Sequence, residues 1–431
     1  MSIKRLIKYI ITEYQETFPR NLIPRQVDIP INLNKIITLI GGRRSGKTFV
    51  LFQIINSLLK NRVKKQNILF INFDDERLEG IEPDVIIQAY RELYPEVELS
   101  QVYFFFDEVQ ALKNWEKFVF RLYELYKPKI FLTGSNSRLL AMEVATQLRG
   151  RTLVYEIYPL SFGEFLKFKN IPTNFYSPVA RSRIKKAFED FLLFGSFPEI
   201  IDFPQDLKIQ TLQNYFNTII YRDIIERYNV ENQTALRYFT KRLIANLGKP
   251  SSINKIFNEL KSQNIKISKN SLYDFSQYLQ DVFFAFPVSK AQLSEKKTLQ
   301  GQKKYYFLDN GLINALTPLF INNYGLLLEN IVYLTLRRQG LPVYFWKNSY
   351  EIDFMVFPDD NKPILIQVSY DISANSTYER EIKALLMAGK KFNTNRLLLI
   401  TPDIHKIITD KIKVVDIIEL LLSDLSNLLS F

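Results

Sequence analysis

The sequence predicts an α/β fold built on a parallel sheet, and three observations predict it. Residues 36–40, IITLI, form a short apolar run that reads as a buried strand. Residues 41–48, GGRRSGKT, fit the phosphate-loop pattern G-x-x-x-x-G-K-[ST], and an amphipathic pattern follows with Val50, Leu51, Ile54, Ile55, Leu58 and Leu59 on one side. A second apolar run at 102–106, VYFFF, ends in Asp107-Glu108, as a central strand covered on both faces would.

Taken in order, residues 1–30 read as a helix and then an extended approach punctuated by Pro19, Pro24 and Pro30. In the loop, Gly41 and Gly46 allow a tight turn that aims backbone N–H groups at phosphate oxygens, with Gly42, Arg43, Arg44, Ser45 and Phe49 completing the ATP-binding stretch. The helix that begins there adds its positive end. Lys47 would reach the β- and γ-phosphates, and the Thr48 hydroxyl would ligate Mg²⁺. NILFINFDD, 67–75, reads as a second strand. At the tip of the third, Asp107 would help hold Mg²⁺ and Glu108 would polarise the attacking water.

KIFLTGSN, 129–136, reads as a fourth strand whose tip could sense the γ-phosphate, with Ser135 and Asn136 the candidates and Thr133 a third option. QLRGR, 147–151, precedes a fifth strand, TLVYEIY. Arg149 or Arg151 could act on a neighbouring subunit's nucleotide as an arginine finger; a pair of surface arginines fits the sequence equally well. Ligand residues at strand C-termini imply a doubly wound sheet with nucleotide at its carboxyl edge.

A chain of 431 residues exceeds a single core and implies two to four domains. With 47% apolar residues it is a folded protein, and a formal charge of +12 favours a polyanionic partner such as nucleic acid. The absence of cysteine excludes disulfides, thiolate zinc sites and a cysteine nucleophile, and the single His405 argues against histidine metal sites and a Ser-His-Asp triad. The start, MSIKRLIKYIITEY, lacks the pattern of a secretory signal, no apolar run is long enough to span a bilayer, and the reducing cytoplasm is the expected location.

The strings GGRRSGKT, FFFDEVQAL and FLTGSNSRLL, with YPLSFGEFL at 158–166, FGSFPEII at 194–201 and YRDIIERY at 221–228, resemble a large archaeal and bacterial family of AAA+-type ATPases with a conserved accessory region of uncharacterised function. The resemblance covers nearly the whole chain. It implies an AAA+-type core over 1–160, a helical lid over 161–245, a winged-helix domain over 246–320 and a nuclease-like domain over 321–431.

The residues agree with that order. Residues 161–245 show helical periodicity and no strand signal; Arg222 there could reach nucleotide or form a surface salt bridge. Residues 251–309 read as helix, turn, helix and β-ribbon, with Ser251 and Ser268 as candidate N-caps. In a winged helix, Lys269, Asn270 and Tyr273 would face DNA, while Lys296, Lys297, Lys303 and Lys304 would meet phosphates; such modules also bind proteins. Beyond Gly325, a helix with Glu329, a hairpin with Asp353 and a strand with Gln367 and Ser369 follow the layout of the PD-(D/E)xK nuclease fold. The lysine of that motif is replaced by Ser369, which cannot supply a cation, and nothing in the sequence supports Lys383 as a substitute. The domain therefore reads as nuclease-like in fold and inactive.

The combined expectation is an ATP- and Mg²⁺-dependent AAA+-type ATPase that couples hydrolysis to DNA binding or remodelling. It would act as a homo-oligomer, such as a ring of six or seven, without a membrane partner. The alternatives are an ATP-dependent, Mg²⁺-dependent DNA nuclease and a regulatory NTPase that acts on proteins.

Overall fold

The computed structural model describes residues 2–134, 150–173, 177–292, 301–317, 323–358, 362–372, 375–402 and 411–423, with backbone alone for 375–377. The chain divides into two compact units, Met1–Pro159 and Leu160–Phe431.

The first unit holds five strands: β1 (Ile36–Ile40), β2 (Ile68–Asn72), β3 (Tyr103–Asp107), β4 (Lys129–Gly134) and β5 (Thr152–Glu156). They form a wholly parallel sheet in the order β2-β3-β4-β1-β5. Strand β1 is buried along its whole length, which accounts for its apolar character on both faces, with Thr38 satisfied by the Thr152 hydroxyl at 3.0 Å. Behind it, Val50, Leu51, Ile54, Ile55 and Leu58 of the helix Lys47–Lys60 pack with Phe70, Phe105 and Phe131. The N-terminal helix Ile3–Glu16 buries Ile7, Ile10 and Ile11, and its Gln15 amide donates to the Lys65 and Ile68 carbonyls at 3.0 and 2.9 Å. This fastens the helix to the start of β2.

The second unit begins with helices. Ser161 and Glu164 form a reciprocal capping box that starts the helix Phe162–Phe168, which explains the SFGEF string. The helices Pro178–Phe194, Gln205–Thr218 and Gln233–Ala245 follow, with a π-helical segment at Ile219–Glu226 that holds the first six residues of the YRDIIERY string and leaves Arg222 exposed. The FGSFP string has a local reason. Gly195 takes φ +74°, and a side chain there would collide with the Asp309 carboxylate. That carboxylate accepts the Ser196 N–H at 2.7 Å and the Gly311 N–H at 2.8 Å. Burial pushes the Asp309 carboxyl up to about 7, against the pull of those donors.

The helices Ile253–Ser262 and Lys269–Asp281 come next, and Ser268 caps the second by accepting the Ser271 N–H. Ser251, expected as a cap, instead pairs its backbone with Lys303. The ribbon that follows departs from expectation. Strands β6 (Ala285–Lys290) and β7 (Lys303–Phe307) pair antiparallel, but β6 also pairs parallel with β8 (Val343–Lys347). With β9 (Glu351–Val356), β10 (Ile364–Val368), β11 (Leu397–Thr401) and β12 (Lys413–Asp416) they form one seven-stranded sheet, β12-β11-β10-β9-β8-β6-β7. The boundary expected near residue 320 therefore does not separate two sheets. The hydrogen-bonding edge of β6 is satisfied by β8, so the ribbon is part of the C-terminal sheet. Among the described residues, no helix is long and apolar enough to cross a membrane.

Candidate functional site

The phosphate loop is fixed by its neighbours. A Cβ on Gly41 would collide with the carbonyl of Ile157, the residue that follows β5, so glycine is required there. Gly46, at φ +96° and left-handed, is the N-cap of the helix Lys47–Lys60. The Lys47 ammonium is buried and donates to the Gly41 and Gly42 carbonyls at 3.2 Å each. Arg43 is half-buried, while Arg44 and Phe49 are exposed. The Ser45 hydroxyl oxygen is buried in the loop without a hydrogen-bond partner, a polar atom that a phosphate oxygen would satisfy.

Strand order brings the acids to the loop. Because β4 lies between β1 and β3, its tip sits between the phosphate loop and Asp107. Thr133 uses that position: its hydroxyl donates to Asp107 Oδ1 at 2.5 Å and accepts the Glu108 N–H at 2.9 Å. Thr48 donates to Asp107 Oδ2 at 2.8 Å. Glu108 Oε1 lies 3.7 Å from Lys47 Nζ, and Gln110 donates to Glu108 Oε2 at 2.5 Å. Glu108 adopts φ +48°, a left-handed conformation that costs a non-glycine residue about 1 kcal/mol or more and that clusters at functional sites. Burial and then the Glu108 charge push the Asp107 carboxyl up to about 6, against Thr133, Thr48 and Lys47. Thr48, Asp107 and Lys47 thus present the oxygen and ammonium set that suits Mg²⁺ and a nucleotide polyphosphate.

Sequence reasoning missed Arg25. Its guanidinium, 9% exposed, donates to the Ser45 carbonyl from Nη1 and to the Tyr158 carbonyl from Nη2, both at 2.8 Å. It braces the loop peptide between Ser45 and Gly46. An arginine in IPRQVDIP carries no local pattern that would disclose this. Thr133 was the third option at the β4 tip and is the residue in contact; Ser135, Asn136 and Arg149 lie outside the described residues. Arg151 lies before β5 at the opposite edge of the sheet from the loop, since Ile36 registers with Thr152 and Ile40 with Glu156. Its Nε pairs with Glu124 at 2.6 Å and its guanidinium lies over the Phe120 ring, so acting on another subunit would require that pair to open.

A second constellation lies in the other unit. A cavity of about 820 Å³ is lined by Glu329, Glu351, Asp353, Gln367, Ser369 and Arg380, among others. The expected trio Glu329, Asp353 and Gln367 does converge: Gln367 Oε1 accepts the Asp353 N–H at 3.4 Å, and Lys304 Nζ lies 3.0 Å from Glu329 and 3.3 Å from Asp353. Lys304 is the correction here. It was expected on an exposed wing, yet it is 1% exposed because β7 turns it inward among carboxylates. Lys303 is half-buried, and burial lowers its ammonium pKa. Lys296, Lys297 and His405 lie outside the described residues. Lys269, Asn270 and Tyr273 stand exposed on one helix, as expected. Lys383 sits over the Tyr350 ring at 5.8 Å and is not part of the acidic cavity's wall.

A parallel sheet in this order, with a phosphate loop after β1 and an acid pair at the tip of β3, defines a phosphate-loop NTPase domain of the AAA type, and residues 33–166 match the family described as AAA domain. Residues 185–322 and 324–420 match two domains of unknown function, DUF8612 and DUF4143. The chain is 38% identical over 390 residues to the uncharacterized protein MJ1544 of Methanocaldococcus jannaschii, covering 88% of this chain and 85% of that one. It is 31% identical to an uncharacterized protein of Haemophilus influenzae, covering 83% and 90%. The chain belongs to this archaeal and bacterial family of AAA-domain proteins. Among solved structures, the Aeropyrum pernix ORC1 protein in complex with DNA matches at 11% identity and TM-score 0.31, over 73% of this chain and 92% of that one. Similarity at that level fixes neither function nor ligand.

Proposed function

We propose that this protein is an ATP-hydrolysing AAA+-type enzyme that works on DNA as a homo-oligomer. The carrying observation is the convergence of Lys47, Thr48, Asp107 and Glu108 at one sheet edge, with Thr133 holding both acids. The amides of residues 41–48 and the Lys47 ammonium would hold the phosphates, while Thr48 and Asp107 would hold Mg²⁺. Mg²⁺ supplies charge neutralisation at the β- and γ-phosphates. Glu108 would orient water, with Gln110 fixing its carboxylate and Thr133 its backbone. Completion of the site by Arg149 or Arg151 of a neighbouring copy belongs to the same proposal, as does a ring.

The DNA part is supported by the +12 formal charge and by Lys269, Asn270 and Tyr273 on an open helix face. Its test is ATP hydrolysis with single-stranded, duplex and forked DNA, beside Glu108→Gln. Hydrolysis that rises with one DNA form and vanishes in the variant supports the proposal. Hydrolysis indifferent to every DNA, without salt-sensitive binding, sinks the DNA part and leaves an ATPase directed at another partner.

A further inference from the structure

We propose that the Lys304 ammonium is the resident cation of the nuclease-like acid cluster, so that this pocket is closed to the divalent metal its fold implies. Lys304 Nζ lies 3.0 Å from Glu329, 3.0 Å from Glu351 and 3.3 Å from Asp353. An ammonium has three donors, and three carboxylates take them all.

The carboxylates are committed in turn. Glu329 Oε1 also accepts the Tyr306 hydroxyl at 2.5 Å, Asp353 Oδ2 accepts the Val368 N–H at 3.0 Å, and Glu351 Oε2 pairs with Lys347 at 2.5 Å. A divalent ion in the cavity would share these carboxylates with a fixed positive charge about 3 Å from each of them. The remaining nuclease positions point the same way. Gln367 lacks the charge of the acid it replaces, and the Ser369 hydroxyl donates to the Asp371 carbonyl at 3.2 Å.

Lys304 is not a relocated catalytic lysine. It is absent from the cavity wall and 1% exposed, whereas a lysine that positions water must face the cavity. Burial disfavours its charge, but the three carboxylates outweigh that and raise its pKa. The residues therefore do not fit Mg²⁺. They form an internal ion cluster that ties β7 to β9 and to the helix Tyr324–Arg338.

The test is a Mn²⁺ titration of the full chain followed by electron paramagnetic resonance. The wild type is compared with Asp353→Asn, and Lys304→Met with Lys304→Met/Asp353→Asn. Metal held at the phosphate loop is common to all four and cancels, so failure of the ATPase proposal leaves the readout unaffected. The expected result is equal Mn²⁺ stoichiometry for the wild type and Asp353→Asn, and one additional ion in Lys304→Met that the double variant lacks. One more Mn²⁺ in the wild type than in Asp353→Asn would overturn the inference, as would Mn²⁺-dependent DNA cutting lost in Asp353→Asn. A folded Lys304→Met that gains no ion would also overturn it. If Lys304→Met does not fold, the first comparison decides alone.

Discussion

The Arg25 brace gives the sharpest prediction about the phosphate loop. Replacing Arg25 with alanine removes two hydrogen bonds from a buried guanidinium, to the carbonyls of Ser45 and Tyr158 at 2.8 Å each. Hydrogen bonds to charged groups contribute about 1.5–3 kcal/mol each, so roughly 3 kcal/mol is a conservative sum. The Ser45 carbonyl belongs to the peptide whose Gly46 N–H would face phosphate in the proposed site. Any part of that energy spent on holding the loop appears as lost nucleotide affinity, at tenfold per ~1.4 kcal/mol. Arg25→Ala is expected to weaken ATP binding by about 10- to 100-fold. The assay is calorimetric titration with ATP and Mg²⁺, beside thermal unfolding to show that the first unit stays folded. Arg25→Lys should recover only part of the loss, because an ammonium cannot span both carbonyls with a planar fork. A folded Arg25→Ala that binds ATP within twofold of the wild type would refute the reasoning and leave Arg25 a brace of the fold alone.

Three further outcomes follow from the geometry. Since Asp107 must be ionised to hold a cation and its pKa stands near 6, Mg²⁺-dependent ATP binding should weaken as pH falls from 7.5 to 5.5; flat calorimetric affinity over that range would contradict the site. Asp309 carries a folded pKa of about 7, above its unfolded value of 3.8, so its contribution to stability is lost as pH rises through 7. The melting temperature should rise on acidification from pH 8 to 6, and Asp309→Asn should shrink that dependence while costing about 1–3 kcal/mol from the donors left without an acceptor. Tyr273→Ala, at a side chain 53% exposed, should leave the melting temperature within a degree or two, since such surface changes cost about 0.5 kcal/mol or less. The same variant should weaken DNA binding in a filter or anisotropy assay.

The candidate nucleotide site was legible because its residues sit within two short strings, each carried by a strand whose apolar run is unmistakable. Asp107 and Glu108 needed only the end of one such run. What was not legible acts across long chain separations. Arg25 reaches a carbonyl 133 residues away, and Lys304 reaches carboxylates 25 and 49 residues on. In KKYYF nothing distinguishes the buried lysine from the half-buried one beside it; the face is set by pairing with β6, which the local pattern does not encode. The two strands of the ribbon pair with each other as their sequence implies, but the second partner of β6 is not legible, because its pairing with β8 depends on edge satisfaction across roughly 50 residues of intervening chain.

That pairing has a consequence for how the protein could be dissected or could have evolved. A winged helix is ordinarily a cassette, able to be lost, duplicated or grafted without harm to its neighbours. Here, severing the chain after residue 320 would strip β6 of one partner and strand the Lys304 ammonium without its carboxylates. The two segments are expected to be inherited and lost together, and expressed separately each should aggregate through a bare strand edge. Motion at the half-exposed Lys269–Asp281 helix would have no hinge to dissipate in, since β6 begins four residues beyond it. A load taken up there would bear directly on the seven-stranded sheet.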